Sequence, residues 1–328
     1  MKSFFKVENL CYGYIRQPLC LKDVNFSVEK KDNILVLGLD DKGKSTLIKT
    51  ISGFDRRYLG RVYLDGVDVK SISDKDKNFS LILKDPILID GSIDRNLNYL
   101  YDVIGKTLPS NDEKKELLKQ FNLSCDLQTN VKKLSLFEKF KFVFLRVFIK
   151  KPRIVFIDNI FENSFNDDEV KELVEIIENV TKDCLMFLCL NEKTFKKQYS
   201  FLHGFKLANV LYLNMAMVHQ VKSVNEFLQT PIDLDALAFC EDYQTLECSC
   251  MFKDGMYFLV VNDLLLKIDK DLYSNFESLK IDDMDTEDIV LAFKKGKEID
   301  FSKNNDVNEM ISKGDVLLFS KLDRSRIN

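Results

Sequence analysis

The octapeptide Gly38-Leu39-Asp40-Asp41-Lys42-Gly43-Lys44-Ser45 has the residue types and spacing to hold a polyphosphate. It fits the pattern GxxxxGK[ST], in which successive backbone amides and a helix N-terminus surround phosphate oxygens. In such a loop Lys44 reaches the terminal phosphates, Ser45 offers its hydroxyl to Mg²⁺, and Gly43 lets the backbone approach closely. Thr46 follows in the first helical turn and joins the same set, with Gly38 at the loop's entry. Asp40 and Asp41 oppose this chemistry, because carboxylates beside a polyphosphate repel it, and Lys42 offsets them only in part.

Such a loop works only between a strand that ends at its first glycine and a helix that starts at its lysine. Asn33 to Leu37 is an apolar run ending at Gly38, and Ser45 to Ile51 is helix-like. Two further apolar runs, Arg153 to Ile157 ending at Asp158 and Cys184 to Leu190, complete the set expected of strands buried on both faces. That pattern predicts a parallel or mixed sheet covered by helices, an α/β fold. Val62 to Val69 around Asp65-Gly66 predicts a hairpin. Helical periodicity between Asn111 and Phe148 predicts a helical insertion, its core formed by the stripe Phe137, Phe140 and Phe144, of which Phe137 would face a partner in an assembled dimer.

The boundary of this region is expected at Thr230-Pro231, where a helix-like Val224 to Leu228 gives way to an acidic stretch, Asp233 to Asp242. Beyond it Cys250 to Leu266 reads as β-rich and Asp282 to Lys294 as a helix. Residues 231–328 are therefore expected to form a small α+β or β-rich domain.

The whole composition narrows the function classes. A chain of 328 residues predicts about two domains. With 45% hydrophobic and 30% charged residues it is globular, and 48 basic against 52 acidic residues leave no footprint for nucleic acid. Eight cysteines, with no signal-peptide pattern after Met1, point to a reduced intracellular compartment. No apolar run is long enough to insert in a bilayer. Cys240, Cys248 and Cys250 lack the paired spacing of a zinc site, and His203 and His219 lie outside any catalytic motif. Lys193 to Lys197 reads as a solvated helix face.

Several stretches resemble, in order, an ATP-binding cassette (ABC) nucleotide-binding domain over about residues 5–229. Tyr14 in LCYGY is similar to the aromatic residue that stacks on adenine, ahead of LKDVNFSV at Leu21 to Val28. Gly60 to Gly66 (GRVYLDG) resembles the family's hairpin, and Lys84 to Ile93 (KDPILIDGSI) resembles a form typical of the multidrug-resistance-associated (C) subfamily. Leu134-Ser135 begins what would be the signature motif, and Asp158 ends RIVFID like a Walker B aspartate 23 residues after Ser135.

The resemblance implies a P-loop core with an antiparallel β subdomain and a helical subdomain at about 93–150, on residues 1–230. It also implies ATP and Mg²⁺ as ligands, bound at Tyr14, Gly38, Asp41, Lys42, Gly43, Lys44, Ser45, Thr46, Lys84 and Asp158, with Ser45 and Asp158 on the metal. In that family ATP lies between two such domains, the phosphate loop of one facing the signature of the other. Against this template the catalytic positions are lost. The glutamate after Walker B is Asn159, which cannot accept a proton. The switch histidine falls on Asn191, the glutamine after the hairpin strands is Lys84, and the signature reads LSLFE without its glycines. The loop Glu162-Asn163-Ser164-Phe165 keeps no SALD pattern. The implied function is an accessory or regulatory ATP-binding subunit of a transporter with weak or no hydrolysis. It would pair with a different ABC nucleotide-binding domain and a transmembrane subunit, in the cytoplasm or at the membrane periphery. The alternative is a soluble scaffold or interaction protein of the same fold with no transport role.

Overall fold

The computed structural model describes residues 3–29, 33–198, 200–201, 205, 207–240, 243–254, 256–261, 264–269, 272, 279, 286–294, 307–308, 310–311, 316–321 and 324–327. The chain forms two units, Met1–Val224 and Asn225–Asn328.

The first unit begins with β1 (Phe5–Gly13), β2 (Leu19–Val28), β3 (Asn33–Leu37), α1 (Lys44–Ile51), β4 (Leu59–Leu64), β5 (Val67–Asp68), α2 (Asp74–Lys77) and β6 (Phe79–Ile82). Three helices follow, α3 (Ile93–Ile104), α4 (Asn111–Gln120) and α5 (Leu136–Lys150). The chain then runs through β7 (Ile154–Asp158), α6 (Asp167–Thr181), β8 (Leu185–Leu190), α7 (Glu192–Gln198), β9 (Leu207–Asn214) and β10 (Met217–Val221).

Two sheets result. The larger has the order β10-β9-β3-β8-β7-β6 and is parallel except for β10, which returns antiparallel to β9. Every residue of β7 and β8 is buried, as strands covered on both faces require. The smaller sheet, β2-β1-β4-β5, is antiparallel, and alternate residues of β1 such as Phe5 and Val7 point to the core between the sheets. Phe5, Phe26, Phe156 and Phe187 meet there, the last two stacked with centroids 5.1 Å apart. The expected hairpin is β4-β5, turning at Asp65-Gly66, both of positive φ.

The helical segment divides three amphipathic helices, of which α5 is the most buried. Phe140, Phe142, Phe144 and Leu145 are inaccessible to solvent. Phe137 is half-buried, edge-on to Phe165 at 6.0 Å and with the Lys141 ammonium 4.9 Å from its ring centroid. Packing against the loop after β7 is more favourable for the ring than exposure to water.

The second unit holds α8 (Val224–Gln229), which starts at the division, α9 (Leu234–Leu237) and five strands: β11 (Tyr243–Lys253), β12 (Met256–Val261), β13 (Leu264–Lys267), β14 (Thr286–Lys294) and β15 (Val316–Ser320). They form one antiparallel sheet in the order β13-β12-β11-β14-β15. The helix expected over Asp282 to Lys294 is therefore wrong from Thr286 onward, and 282–285 lie outside the described residues. Ile289 and Leu291 enter one apolar cluster and Val290 and Ala292 another, so β14 is apolar on both faces. Such a continuous run carries no periodicity that separates strand from helix, and pairing with β11 and β15 decides it.

Candidate phosphate-binding cleft

The loop between β3 and α1 owes its shape to two glycines. Gly43, the residue before α1, has φ 93°, and a Cβ there would sit 2.9 Å from the Cys20 carbonyl oxygen. At Gly38 a Cβ would stand 2.6 Å from the Leu213 carbonyl oxygen. Helix α1 has no side-chain cap at its N-terminus, so its first amides are available to an anion.

Lys44 is 4% exposed, and its ammonium donates to the carbonyl oxygens of Gly38 and Leu39, each at 2.7 Å. Burial pushes it below the ordinary lysine range. The loop thus folds back on its own lysine, which is held at the phosphate end of the cleft. Ser45 Oγ donates to Asp158 Oδ1 at 2.8 Å, although 113 residues separate them in sequence. Asp158 is raised above the usual carboxylate range, first by burial, with the Ser45 hydrogen bond opposing. These two oxygens are the pair a Mg²⁺ ion could use.

A cavity of about 670 Å³ opens over the loop, lined among others by Tyr14, Lys44, Ser45, Lys84, Asn159 and Glu162. Tyr14 stands at its rim, 48% exposed, edge-on to Tyr12 at 5.3 Å and sharing a 3.1 Å hydrogen bond with Thr46 Oγ1. Asp41 also lines the cavity; it is exposed with φ 59°, and Lys42 beside it is half-buried.

Four polar side chains from separate segments meet beside the loop. Lys84 Nζ lies 2.6 Å from Glu162 Oε2, which raises the Lys84 pKa first through that hydrogen bond. Asn191 Nδ2 donates to Glu162 Oε1 at 3.2 Å and to Asp40 Oδ1 at 2.8 Å, while its own Oδ1 accepts from the Thr194 amide and hydroxyl, both at 2.8 Å. Asn191 is buried and oriented at both ends of its amide, while Asp40, which accepts one of these bonds, is exposed. Asn159, 8% exposed and left-handed at φ 51°, has an Oδ1 with no hydrogen-bond partner.

Glu162 is the cleft residue that motif reading passed over, noting it only as part of an altered loop. The signal available was that it is the one carboxylate in the few residues after Asp158. The cleft suits a polyphosphate by its glycine cradle, its open helix terminus and Lys44. Its fit to a divalent cation is poorer: Ser45 and Asp158 supply oxygens, but Lys84 brings a cation to the same space.

Residues 21–162 match the family model described as ABC transporter. An ABC transporter ATP-binding protein of Mycoplasma genitalium is 26% identical over 229 residues, covering 65% of this chain and 83% of that protein. The first unit is thus similar to ABC transporter nucleotide-binding domains. The structure of an ATP-binding subunit of an ABC transporter, 21% identical, aligns with a TM-score of 0.57 over 69% of this chain and 92% of that one, a likeness of fold. The ABC transporter ATP-binding protein exp8 of Streptococcus pneumoniae is 35% identical over 94 residues, and that match spans 28% of this chain but only 16% of exp8. In the first unit, Leu134 is buried and Ser135 caps α5, accepting from the Glu138 amide at 3.2 Å while Glu138 Oε2 accepts from the Ser135 amide at 2.8 Å. Leu136 projects outward, 38% exposed. His219 lies on β10 with its ring 6.3 Å from Tyr212, and His203 falls outside the described residues. Among the described residues no helix is long and apolar enough to cross a membrane.

Proposed function

We propose that the first unit binds ATP, with its adenine on Tyr14, its phosphates on the amides of Gly43 to Thr46 and on Lys44, and Mg²⁺ on Ser45 and Asp158. Bound in this way, the nucleotide is hydrolysed at or near background. The observation that carries the reading is the juxtaposition in one cleft of an uncapped helix terminus, a buried lysine and the Ser45–Asp158 pair, beside an amide at Asn159. An amide cannot take the proton of an attacking water, and the nearby carboxylate, Glu162, is engaged by the Lys84 ammonium.

In this reading the chain is a catalytically degenerate relative of the C subfamily. It acts as an accessory or regulatory subunit of a transporter, at the cytoplasmic side of a membrane, paired with a different ABC nucleotide-binding domain and a transmembrane subunit. A groove of about 510 Å³ supports a partner on this unit: Phe54 and Val103 line it, and both are more than half exposed.

Calorimetry and phosphate release on the full chain test the function together. Mg-ATP should bind, and turnover should stay at background, also in Asn159→Glu. Absence of binding by folded protein defeats the reading, and so does turnover that Lys44→Ala removes. Purification without any membrane protein partner would favour a scaffold that has kept the fold.

Residues 1–230 are proposed as the nucleotide-binding domain and 231–328 as a separate C-terminal domain. Limited proteolysis should cut between about residues 228 and 245 and leave a soluble N-terminal fragment. An uncut chain would mean that both parts share one core.

A further inference from the structure

We propose that the Lys84 ammonium supplies in this cleft part of the charge that a divalent cation would otherwise supply, so that a nucleoside triphosphate is held with little dependence on Mg²⁺. The inference rests on the reading that the cleft binds ATP.

Lys84 lines the same cavity as Lys44, Ser45 and Thr46, and its side chain is half-exposed, so its charge is open to a ligand in that space. It is also held in place. One carboxylate oxygen of Glu162 lies 2.6 Å from its Nζ, and Asn191 holds the other oxygen of Glu162 at 3.2 Å. An ammonium has three donors, so one bond to Glu162 leaves two for phosphate oxygens without breaking the pair. Lys84 and Lys44 then offer a polyphosphate two cations in one cavity.

The same charge works against a divalent ion, because Lys84 and Ser45 line one cavity and like charges repel there. Asn159 adds an independent sign of a ligand here: it lines the cleft, and its Oδ1 is buried and has no partner. An acceptor so placed is completed by a donor or cation that enters the cleft. The acidic residues of the cleft are not all unopposed. Asp40 accepts from Asn191, and Glu162 accepts from Asn191 and Lys84.

The experiment is calorimetric titration of ATP into the full chain, once in Mg²⁺ and once in EDTA, for wild type, Lys84→Gln and Lys84→Arg. Circular dichroism would check that each variant is folded. The wild-type dissociation constant should rise by no more than roughly threefold in EDTA. Lys84→Gln should lose about tenfold or more in EDTA and recover with Mg²⁺, because Gln offers an oxygen in place of the charge, while Lys84→Arg should behave as wild type. Wild-type binding that needs Mg²⁺ as strongly as Lys84→Gln does overturns this inference and leaves ATP binding standing. A loss in Lys84→Arg equal to that in Lys84→Gln overturns it in the same way. No binding under either condition overturns both.

Discussion

Helices α1 and α5 both begin at a turn of the first unit, and their N-termini are finished in opposite ways. At α1 the preceding residue is a left-handed glycine without a side-chain acceptor, and the first amides face the cavity lined by Lys44 and Ser45. At α5 Ser135 and Glu138 form a reciprocal capping box, in which each side chain accepts from the other residue's amide. An uncapped terminus carries a partial positive charge and unsatisfied donors, which an anion can complete. A capped terminus has two of those donors already engaged by its own side chains. The difference teaches that a helix N-terminus is a phosphate site only while the protein withholds its own acceptors. Leu136, next to this cap, leaves its side chain 38% exposed.

The contrast can be broken most severely at the open end. Lys44→Ala should weaken ATP binding by about a hundredfold or more, because the variant loses the buried cation that the loop organises around itself. Isothermal calorimetry measures it, and equal affinity in the variant would mean that the uncapped amides alone hold the ligand.

At the closed end the expected effect is on assembly. Sedimentation of the pure chain should show a monomer with and without Mg-ATP, because a homodimer would set each open α1 terminus against a capped, leucine-bearing α5 terminus. A Mg-ATP-dependent wild-type homodimer would show that the capped end still serves a phosphate. Dimerisation gained only in Leu136→Gly would assign the block to the side chain.

The smallest effect sharpens the comparison by moving stability and binding apart. Ser135→Ala should cost roughly 1 kcal/mol in urea denaturation, the usual contribution of an N-cap, and leave ATP affinity in the isolated chain unchanged. A loss of affinity in that variant would couple the two termini within one molecule.

Much of this architecture is legible in the order of residues. GxxxxGKS between an apolar run and a helical one places β3, the loop and α1 by local pattern, and the runs ending at Asp158 and Leu190 mark β7 and β8. Strong signals of this kind are short in sequence, since a glycine's φ, a strand's burial and a helix start depend on immediate neighbours. β14 escapes such reading for the matching reason, that a run apolar on both faces has no local signature and takes its state from the strands beside it.

By itself the sequence determined which side chains could bind phosphate and that amides stand at 159 and 191, because those facts are chemical identities at fixed spacing. Only the tertiary structure decided where these side chains ended up. It joined Lys84 to Glu162 across 78 residues and Asn191 to Asp40 across 151, and it turned Phe137 onto Phe165. Such pairings are set by the parallel order β3-β8-β7-β6, which brings the C-terminal ends of distant strands to one edge, and no spacing along the chain encodes them.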